Sequence, residues 1–425
     1  MRATRRDMLL AMGAGMGTLA LPQILRAQAA AHVAVVGGGF GGATAARYLR
    51  RLNPDLRITL VEPQEQFVTC PFSNLYLGRL RDWDSITHGF DGLRAAGIEV
   101  IHARAEDVDG SARSLGLSNG ARLDWDRLVL SPGIDFRWGD LAGYDEAAAE
   151  LAPHAWKAGP QTQLLRRQLE AMEDGGTFVM VVPQGAFRCP PGPYERASMV
   201  AHYFKTHKPR SRVLILDSQD RFAKQPLFRQ GWQALYGEMI EWVGQSDDGL
   251  VVEVDASTRT ALTAFGTRHK ADVLNVIPPQ KAGLIAERAG VTDETGWVPV
   301  RADRFESVHV PGVYVLGDAT IAAPMPKSGF CANAQAKVAA AAITADLAGR
   351  EPPPASFANT CYSLVGPGWG ISVAGVYRAE GGKVVEVAGS GGVSPLEAGP
   401  EFRQAEADHG AGWYASICAD IWGTA

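Results

Sequence analysis

The chain has 425 residues, 46% of them hydrophobic, and a formal net charge of −5 at pH 7. This length exceeds what one ordinary hydrophobic core supports, so we expect two or three domains, and the acidic balance excludes the basic footprint of a nucleic-acid-binding protein. The five cysteines are too scattered for a disulfide scaffold or a CxxC zinc site, and the nine histidines show no ligand-like spacing, so we predict no metal.

The first 29 residues have the features of an export signal. Arg5 and Arg6 precede an apolar, glycine-broken stretch, and the segment ends in the small-x-small sequence Ala27-Gln28-Ala29. This pattern predicts a twin-arginine signal peptide, with an ordinary secretory signal as the alternative, and not a membrane span. We therefore expect a mature chain that begins near Ala30 and resides in the periplasm, an oxidising compartment in which a disulfide can persist.

The pattern of residues 32–62 is that of a dinucleotide-binding unit. A short apolar strand, 32–36, leads into the GxGxxG glycines Gly37, Gly39 and Gly42. A helix from about Ala43 to Leu52 and a second strand, 57–61, follow. Glu62 ends that strand about twenty residues after Gly42, where a ribose ligand is expected. Glycines at these positions let a pyrophosphate approach the amides of a helix N-terminus.

A second segment, 309–347, predicts the remainder of an FAD site. A strand, 313–316, leads into Gly317-Asp318-Ala319, where a flavoprotein holds the ribityl and phosphate part of FAD. We expect Asp318 to accept a hydroxyl there, or to cap a helix N-terminus. The alanine-rich stretch from Lys327 to Leu347 predicts a helix along the FAD domain, and we expect the Lys327 turn to lie close to the flavin and to bind it.

The middle section, 156–270, predicts a second α/β domain that has no nicotinamide site. It begins with a strand within 175–183, but the sequence QGAFRCPPGPYERAS follows in place of GxGxxG. Pro190, Pro191 and Pro193 remove amide donors that a pyrophosphate-binding loop needs. We therefore expect an α/β domain that binds no nicotinamide, and we expect the electrons of the substrate to reach the flavin by another route.

The tail, 351–425, begins with three prolines, a stiff linker, and continues as a β-rich segment and a last aromatic helix. We predict a C-terminal flavin-capping or interface domain here. Trp369 could line the flavin site or pack in a core. The predicted divisions are thus the signal 1–29, a first FAD-binding part 30–155, the middle domain 156–270, a second FAD-binding part 271–350 and the tail 351–425.

The cysteines differ in their surroundings. Cys189 and Cys361 lie in loop-like contexts and are the candidates for a redox disulfide; spacing alone leaves open that both are unpaired buried thiols. Arg188 is expected to lower a thiolate pKa there, and Glu195 could act as an acid or a base in the same pocket. Cys331 and Cys418 have the surroundings of small core residues.

Several segments together resemble one family, the flavoprotein subunit of flavocytochrome c sulfide dehydrogenase. They include VVGGGFGGATAARYL, EPQEQFVTCPFSN, LAPHAWKAG and VLGDATIAAPMPKSGF, and the most diagnostic are FRCPPGPYERAS and NTCYS. The resemblance covers nearly the whole mature chain. In one respect this chain differs, because the position of Cys331 is commonly serine in that family.

The resemblance implies an α/β, disulfide-reductase-like fold with two dinucleotide-type domains and a C-terminal flavin-capping domain. It implies FAD attached through a thioether at Cys70 and a redox disulfide between Cys189 and Cys361. It also implies sulfide as the substrate and a c-type cytochrome subunit as electron acceptor; this chain has no CxxCH, so the haem would belong to another polypeptide. The alternatives are a sulfide:quinone reductase and a non-catalytic flavoprotein that reactivates a periplasmic sulfur-oxidation system.

Overall fold

The computed structural model describes residues 30–424, so the predicted export signal lies outside the described residues. The α-helices of the described part are α1 (Phe40–Leu52), α2 (Ser73–Leu77), α3 (Asp91–Ala95), α4 (Glu146–Ala149), α5 (Pro160–Ala171), α6 (Gly192–His207), α7 (Gln225–Tyr236), α8 (Leu284–Arg288), α9 (Gly329–Leu347) and α10 (Pro400–Trp422). No helix among residues 30–424 combines the length and the apolar character that a membrane crossing needs.

A five-stranded parallel sheet forms the first nucleotide-binding layer. In spatial order its strands are Val313–Val315, Arg127–Leu130, His32–Val36, Arg57–Val61 and Glu99–Ile101. The central strand His32–Val36 is buried along its whole length, as a parallel strand covered on both faces should be. The sheet therefore unites the two predicted parts of the FAD site, because residues 313–315 pair beside residues 127–130.

Helix α1 begins at Phe40, three residues earlier than the sequence predicts. The reason is packing: a Cβ at Gly42 would lie 2.0 Å from the Gly37 carbonyl oxygen, and one at Gly41 would lie 2.5 Å from Ser131 Oγ. Only glycine permits the first turn to press this closely on the preceding strand. Of the motif glycines, Gly42 thus lies inside the helix, Gly39 is its N-cap, and Gly37 precedes it.

A four-stranded parallel sheet forms the middle domain. Its strands, in spatial order, are Ile240–Val243, Arg212–Leu216, Thr177–Val181 and Val273–Val276. Helix α6 follows the strand Thr177–Val181 and begins inside the proline-rich run, with Pro191 as its N-cap. Proline is tolerated there because the first amides of a helix have no partner within it. The α/β frame expected for this section is present.

The C-terminal segment forms a long hairpin and a long helix. The strands Ser356–Gly366 and Trp369–Glu380 pair antiparallel and are extended by Lys383–Glu386 and Gly392–Val393, and α10 packs on them. Cys361 therefore lies inside a strand, and the prediction of a loop context for it is wrong. Trp369 packs against the core that includes Val365 and Trp232, so core packing describes it.

The remaining strands form small antiparallel or parallel pairs at the edges of these layers. They are Ala105–Asp109 with Ser114–Leu117 and Arg122–Asp124, Val251–Asp255 with Thr260–Thr263 and Arg268–Lys270, Phe67–Val68 with Thr87–His88, Ile134–Phe136 with Gln280–Ala282, and Val298–Pro299 with Thr320–Ile321. The pair Ile134–Phe136 and Gln280–Ala282 joins the edges of the two nucleotide-type layers.

Candidate active site

A cavity of 680 Å³ opens at the carboxyl ends of the first sheet. Ligand crevices of α/β proteins lie at this edge, and the volume is in the range of cofactor sites. Its wall combines the glycine loop, polar groups and the start of α9; among the lining residues are Gly37, Gly39, Glu62, Cys70, Arg188, Asp318 and Gly329. Four separate segments of the predicted FAD site therefore meet around one space.

The glycine-loop end of this cavity fits a dinucleotide. Gly37 has φ of +101°, and a Cβ there would lie 2.3 Å from the Ser131 carbonyl oxygen. The N-terminus of α1 has no side-chain cap, so its first amides are free to bind an anion. Glu62 accepts hydrogen bonds from the Gly38 amide at 2.8 Å and the Gln64 amide at 3.0 Å. Its carboxylate retains lone pairs for ribose hydroxyls.

Asp318 provides an independent test of whether a polar cofactor fits. It lies in the 3-10 turn Gly317–Ala319, its side chain is 13% exposed, and its Oδ1 has no hydrogen-bond partner among the described residues. Burial raises the pKa of Asp318, against the charges of Arg188 and Lys327. A buried carboxylate oxygen without a partner is costly, so a ligand hydroxyl at this position would satisfy it. The residues present therefore fit FAD.

The alternative role of Asp318 as a helix N-cap is wrong. Helix α9 begins eleven positions later, and its cap is Ser328, whose Oγ accepts the Cys331 amide at 3.0 Å. The carboxylate of Asp318 is therefore not engaged by the helix and remains available at the cavity wall.

Lys327 stabilises the turn that carries Asp318. Its Nζ donates to the carbonyls of Asp318 at 2.8 Å and Thr320 at 2.7 Å and lies 3.7 Å from the centroid of the Trp297 ring. Burial lowers the pKa of Lys327 to about 8. Lys327 is not among the residues that line the cavity, so its contacts are those of a positioning residue for Asp318.

Cys70 lines the same cavity, on the loop before α2. Its Sγ lies 3.5 Å from the Trp156 carbonyl oxygen, and Arg188 Nη2 donates to that same carbonyl. The thiol is half-buried and free. The position expected for a cofactor tether therefore lies on the cavity wall, where Cys70 shares the Trp156 carbonyl with Arg188.

Cys189, Cys361 and Glu195, each partly buried, come together in a cluster in which every group affects the pKa of another, and Arg188 lies beside them. Cys189 has φ of +57° and its amide donates to the Lys327 carbonyl at 2.9 Å. Glu195, in the first turn of α6, accepts the Asn74 amide group at 2.9 Å and the Leu364 backbone amide at 2.9 Å. A left-handed non-glycine residue is strained, and such residues concentrate at functional sites.

The two cysteines of this cluster are free thiols in the structure, as are the other three. Burial raises the pKa of Cys189 well above its usual range, and the charges of Cys361 and Glu195 raise it further. Arg188 lowers the pKa of Cys189, as expected, but burial has the larger effect, so the net shift of this pKa is upward. Burial likewise raises the pKa of Cys361 and of Glu195.

Two cations of the cluster escaped the sequence analysis. Lys224 Nζ donates to the Cys361 carbonyl at 2.9 Å and to Ser363 Oγ at 2.8 Å, and its charge opposes the effect of burial on the pKa of Cys361. Arg196 is 2% exposed and follows Glu195 directly. Arg196 lies in the diagnostic segment FRCPPGPYERAS, so the sequence offered a reason to include it among the site residues. Lys224 directly precedes α7, and no local motif indicates that it belongs to the site.

Cys331 and Cys418 are buried at 1% and 7% exposure, as expected of core residues. Cys331 lies in the first turn of α9, where burial raises its pKa to about 12. Cys418 lies in α10, where burial likewise raises its pKa to about 12. Both thiols are therefore poor nucleophiles at neutral pH.

Three family models match the chain. They are the central part of the sulfide dehydrogenase (flavocytochrome c) flavoprotein chain over residues 162–278, the flavin-binding part of flavocytochrome c sulphide dehydrogenase over 353–422, and pyridine nucleotide-disulphide oxidoreductase over 31–172. The two specific models cover the proline-containing loop before α6 and the strand that carries Cys361.

Individual proteins agree with these models. A sulfide dehydrogenase (flavocytochrome c) flavoprotein chain of Chlorobaculum thiosulfatiphilum is 69% identical over 43 residues, 10% of this chain and 90% of that sequence. A sulfide-quinone reductase of Aquifex aeolicus is 31% identical over 187 residues, 43% of this chain and 42% of that one. The solved sulfide:quinone oxidoreductase from Aquifex aeolicus superposes with a TM-score of 0.68 at 19% identity, covering 92% of both chains. The predicted disulfide-reductase-like fold is confirmed.

Proposed function

Because this chain belongs to the family of flavoprotein chains of flavocytochrome c sulfide dehydrogenase and binds FAD, we propose that it oxidises sulfide at a Cys189–Cys361 disulfide and delivers the electrons to a separate c-type cytochrome subunit. The proposal includes twin-arginine export to the periplasm and a thioether between Cys70 and FAD. The observation that carries it is the partly buried cluster of Cys189, Cys361 and Glu195, which lies next to Arg188, a residue of the cavity wall.

The proposed reaction begins with a sulfur nucleophile. Hydrosulfide attacks one sulfur of the Cys189–Cys361 disulfide; a new S–S bond forms to the substrate, the protein S–S bond breaks, and one cysteine leaves as a thiolate. When bound, FAD would supply a two-electron acceptor for the step in which the disulfide re-forms, the outer sulfur of the persulfide leaves as sulfane sulfur and its proton is released, and it would supply a one-electron donor for a haem. The persulfide that remains is the first oxidised sulfur product.

The residues around the cluster match the needs of this reaction. Glu195, whose pKa is raised by burial, can take up the proton that the persulfide releases and return it later. Lys224 and Arg196 place positive charge beside the thiolates that form when the disulfide opens. Arg188 lies between the cluster and the cavity, with Nη1 4.0 Å from Asp318 Oδ2.

The test of the proposed function is an anaerobic assay with two acceptors. We expect sulfide to bleach the flavin absorbance of the purified protein, and c-type cytochrome, supplied as the copurified subunit or as added cytochrome c, to restore it. With a soluble quinone analogue as the acceptor, the flavin should be reoxidised at less than about a tenth of the rate measured with cytochrome. A tenfold difference in rate corresponds to about 1.4 kcal/mol in activation free energy and distinguishes the two acceptors. A flavin that sulfide leaves oxidised, or that reacts faster with the quinone, would contradict the proposal.

Replacing Cys70 by alanine is expected to release the flavin. Cys70 is half-buried, lines the cavity, and is the proposed site of the covalent bond to FAD. The parent protein should retain flavin fluorescence on the polypeptide after acid precipitation and denaturing electrophoresis. The Cys70→Ala variant should release it into the supernatant, while Cys418→Ala should behave as the parent. Free FAD from the acid-treated parent would exclude the covalent bond.

A further inference from the structure

A second cavity, of 750 Å³, lies in the middle domain. It opens at the carboxyl ends of two neighbouring strands, Thr177–Val181 and Val273–Val276, where an α/β sheet places its ligand. Polar and apolar surface contribute comparably to its walls. The polar side chains are those of Arg137, Asp140, Gln184, Gln280 and Thr295, and the apolar lining residues include Leu141, Val181, Val182, Pro183, Val251, Val252, Ile277, Pro279 and Trp297.

A dinucleotide does not fit this cavity. The acid that ends the second strand of the sheet, Asp217, is fully buried and accepts hydrogen bonds from Tyr194 Oη at 2.6 Å and Trp242 Nε1 at 2.9 Å. That carboxylate is therefore unavailable to a ribose. The preceding loop carries prolines where a pyrophosphate needs amides.

Gln280 points to a ligand of another kind. Its side chain is 97% buried on the cavity wall, and its Oε1 accepts the Arg188 backbone amide at 2.9 Å. Because a backbone N–H can only donate, this contact fixes the orientation of the side-chain amide. Its Nε2 has no hydrogen-bond partner among the described residues. A buried N–H donor without a partner is costly and indicates an acceptor in the cavity.

Arg137 places a positive charge on the same wall. Its Nε donates to the Gln280 carbonyl at 3.1 Å, which holds the guanidinium beside the side-chain amide. Asp140 also lines the cavity; its side chain is exposed and carries a negative charge, opposite in sign to that of Arg137. One cation and one amide donor beside a group of apolar side chains suit an anion that is weakly hydrated along part of its length, because a strongly hydrated anion would lose solvation at the apolar part of the wall.

The cavity is joined to the cysteine cluster by two direct contacts. Gln280 Oε1 holds the amide of Arg188, which precedes Cys189, and Trp297 stacks on Lys327, whose carbonyl accepts the Cys189 amide. A molecule in this cavity is therefore separated from the Cys189 loop by single side chains.

We propose that this second cavity binds short polysulfide dianions, the chains formed when sulfane sulfur leaves the cysteine cluster, with Gln280 Nε2 and Arg137 as the donors. This identification of the ligand rests on the proposed function, whereas the cavity and its donors do not. A polysulfide is anionic at its ends and polarisable along its length, which matches both the polar and the apolar parts of the wall.

The test measures binding without turnover. In a full-length, flavin-loaded Cys189→Ser/Cys361→Ser background, equilibrium dialysis against sodium tetrasulfide followed by cyanolysis should show about one bound chain per protein. Gln280→Glu keeps an acceptor for the Arg188 amide but removes the donor and adds a negative charge. We expect it to weaken binding at least about tenfold, the scale of a hydrogen bond to a charged group. Arg137→Gln should weaken binding similarly.

Matched controls separate this effect from charge and from folding. Gln233→Glu makes the same charge change on the exposed side of α7 and should bind tetrasulfide as the background does. Thiocyanate should compete with tetrasulfide and phosphate should not. Unchanged binding in Gln280→Glu, or competition by NADH, would overturn the inference. Because this protein cannot turn over, such a failure is distinct from failure of sulfide to bleach the parent flavin, which concerns the proposed function alone.

Discussion

Cys361→Ser is expected to lower the rate of sulfide-dependent flavin reduction by roughly 10³-fold or more, the scale on which removal of a covalent nucleophile acts. The hydroxyl cannot form a disulfide with Cys189, so hydrosulfide has no S–S bond to attack. Cys361 lies within the strand Ser356–Gly366, which pairs residue by residue with Trp369–Glu380, so the substitution leaves the backbone register intact. Stopped-flow absorbance of the flavin under anaerobic conditions measures the rate.

The other cysteines supply the controls for this experiment. Cys418→Ser changes a buried thiol in α10 and should remain within about twofold of the parent. Cys331→Ser changes the additional thiol in the first turn of α9 and should do the same, because Cys331 is buried, with a pKa raised to about 12. If Cys331→Ser were as slow as Cys361→Ser, the pairing of Cys361 with Cys189 would be wrong. If Cys361→Ser kept the parent rate, the disulfide mechanism would be wrong.

Arg196→Met is expected to lower the free energy of unfolding by about 3–5 kcal/mol, the cost of breaking a buried charged network. The guanidinium donates to Asn74 Oδ1, Asn275 Oδ1 and the carbonyls of His154 and Ala155, at 2.6–3.1 Å. It also lies 4.9 Å from the Trp156 ring centroid. Methionine fills a similar volume but leaves Asn74 Oδ1, Asn275 Oδ1 and the Ala155 carbonyl without a donor in a buried site, whereas the His154 carbonyl still accepts Asn275 Nδ2 at 3.0 Å.

Two further variants test this explanation. Arg196→Lys keeps the charge but offers three donors from one point, so it should lose less stability than Arg196→Met but still more than about 1 kcal/mol. Arg122→Met removes an exposed ion pair with Asp107 and should change the free energy of unfolding by about 0.5 kcal/mol or less. Urea unfolding followed by circular dichroism measures all three. An Arg196→Met protein as stable as the Arg122→Met protein would contradict the network's role.

The Arg196 network also explains how Asn74, in the first FAD-binding part of the chain, holds Glu195 in place. Asn74 receives the guanidinium on Oδ1 and donates through Nδ2 to Glu195 Oε2. Glu195 and Arg196 are thus both connected to Asn74, although they are adjacent on α6 and project to different partners. Loss of Arg196 should therefore also reduce activity in the fraction of protein that stays folded.

Several features of the site follow from short stretches of sequence. The GxGxxG segment, its flanking strands and Glu62 lie within one continuous unit, so their geometry depends on neighbours close in the chain. The same holds for the turn that carries Asp318 and for α9, whose alanine content favours a helix. For these elements, sequence patterns were sufficient, apart from the three-residue shift in the start of α1, which depended on the fit of glycines against the adjoining strand.

The errors have a common physical origin. Cys361 was assigned to a loop because asparagine and threonine precede it, yet pairing with a distant strand decides its conformation. Asp318 was considered as a helix cap, yet the chain continues through a turn before α9 begins. Each error replaces a long-range interaction with a local one.

The sequence by itself determined the fold class, the nucleotide-binding motif and the residues from which the cysteine cluster is built, because these depend on local patterns and on segments diagnostic of one family. Long-range packing determines which groups surround Cys189 and Cys361, places Lys224 against the Cys361 strand, and leaves Gln280 Nε2 without a partner at a second cavity. Burial and hydrogen-bond satisfaction are properties of packed surroundings, and those surroundings come from segments far apart in the chain.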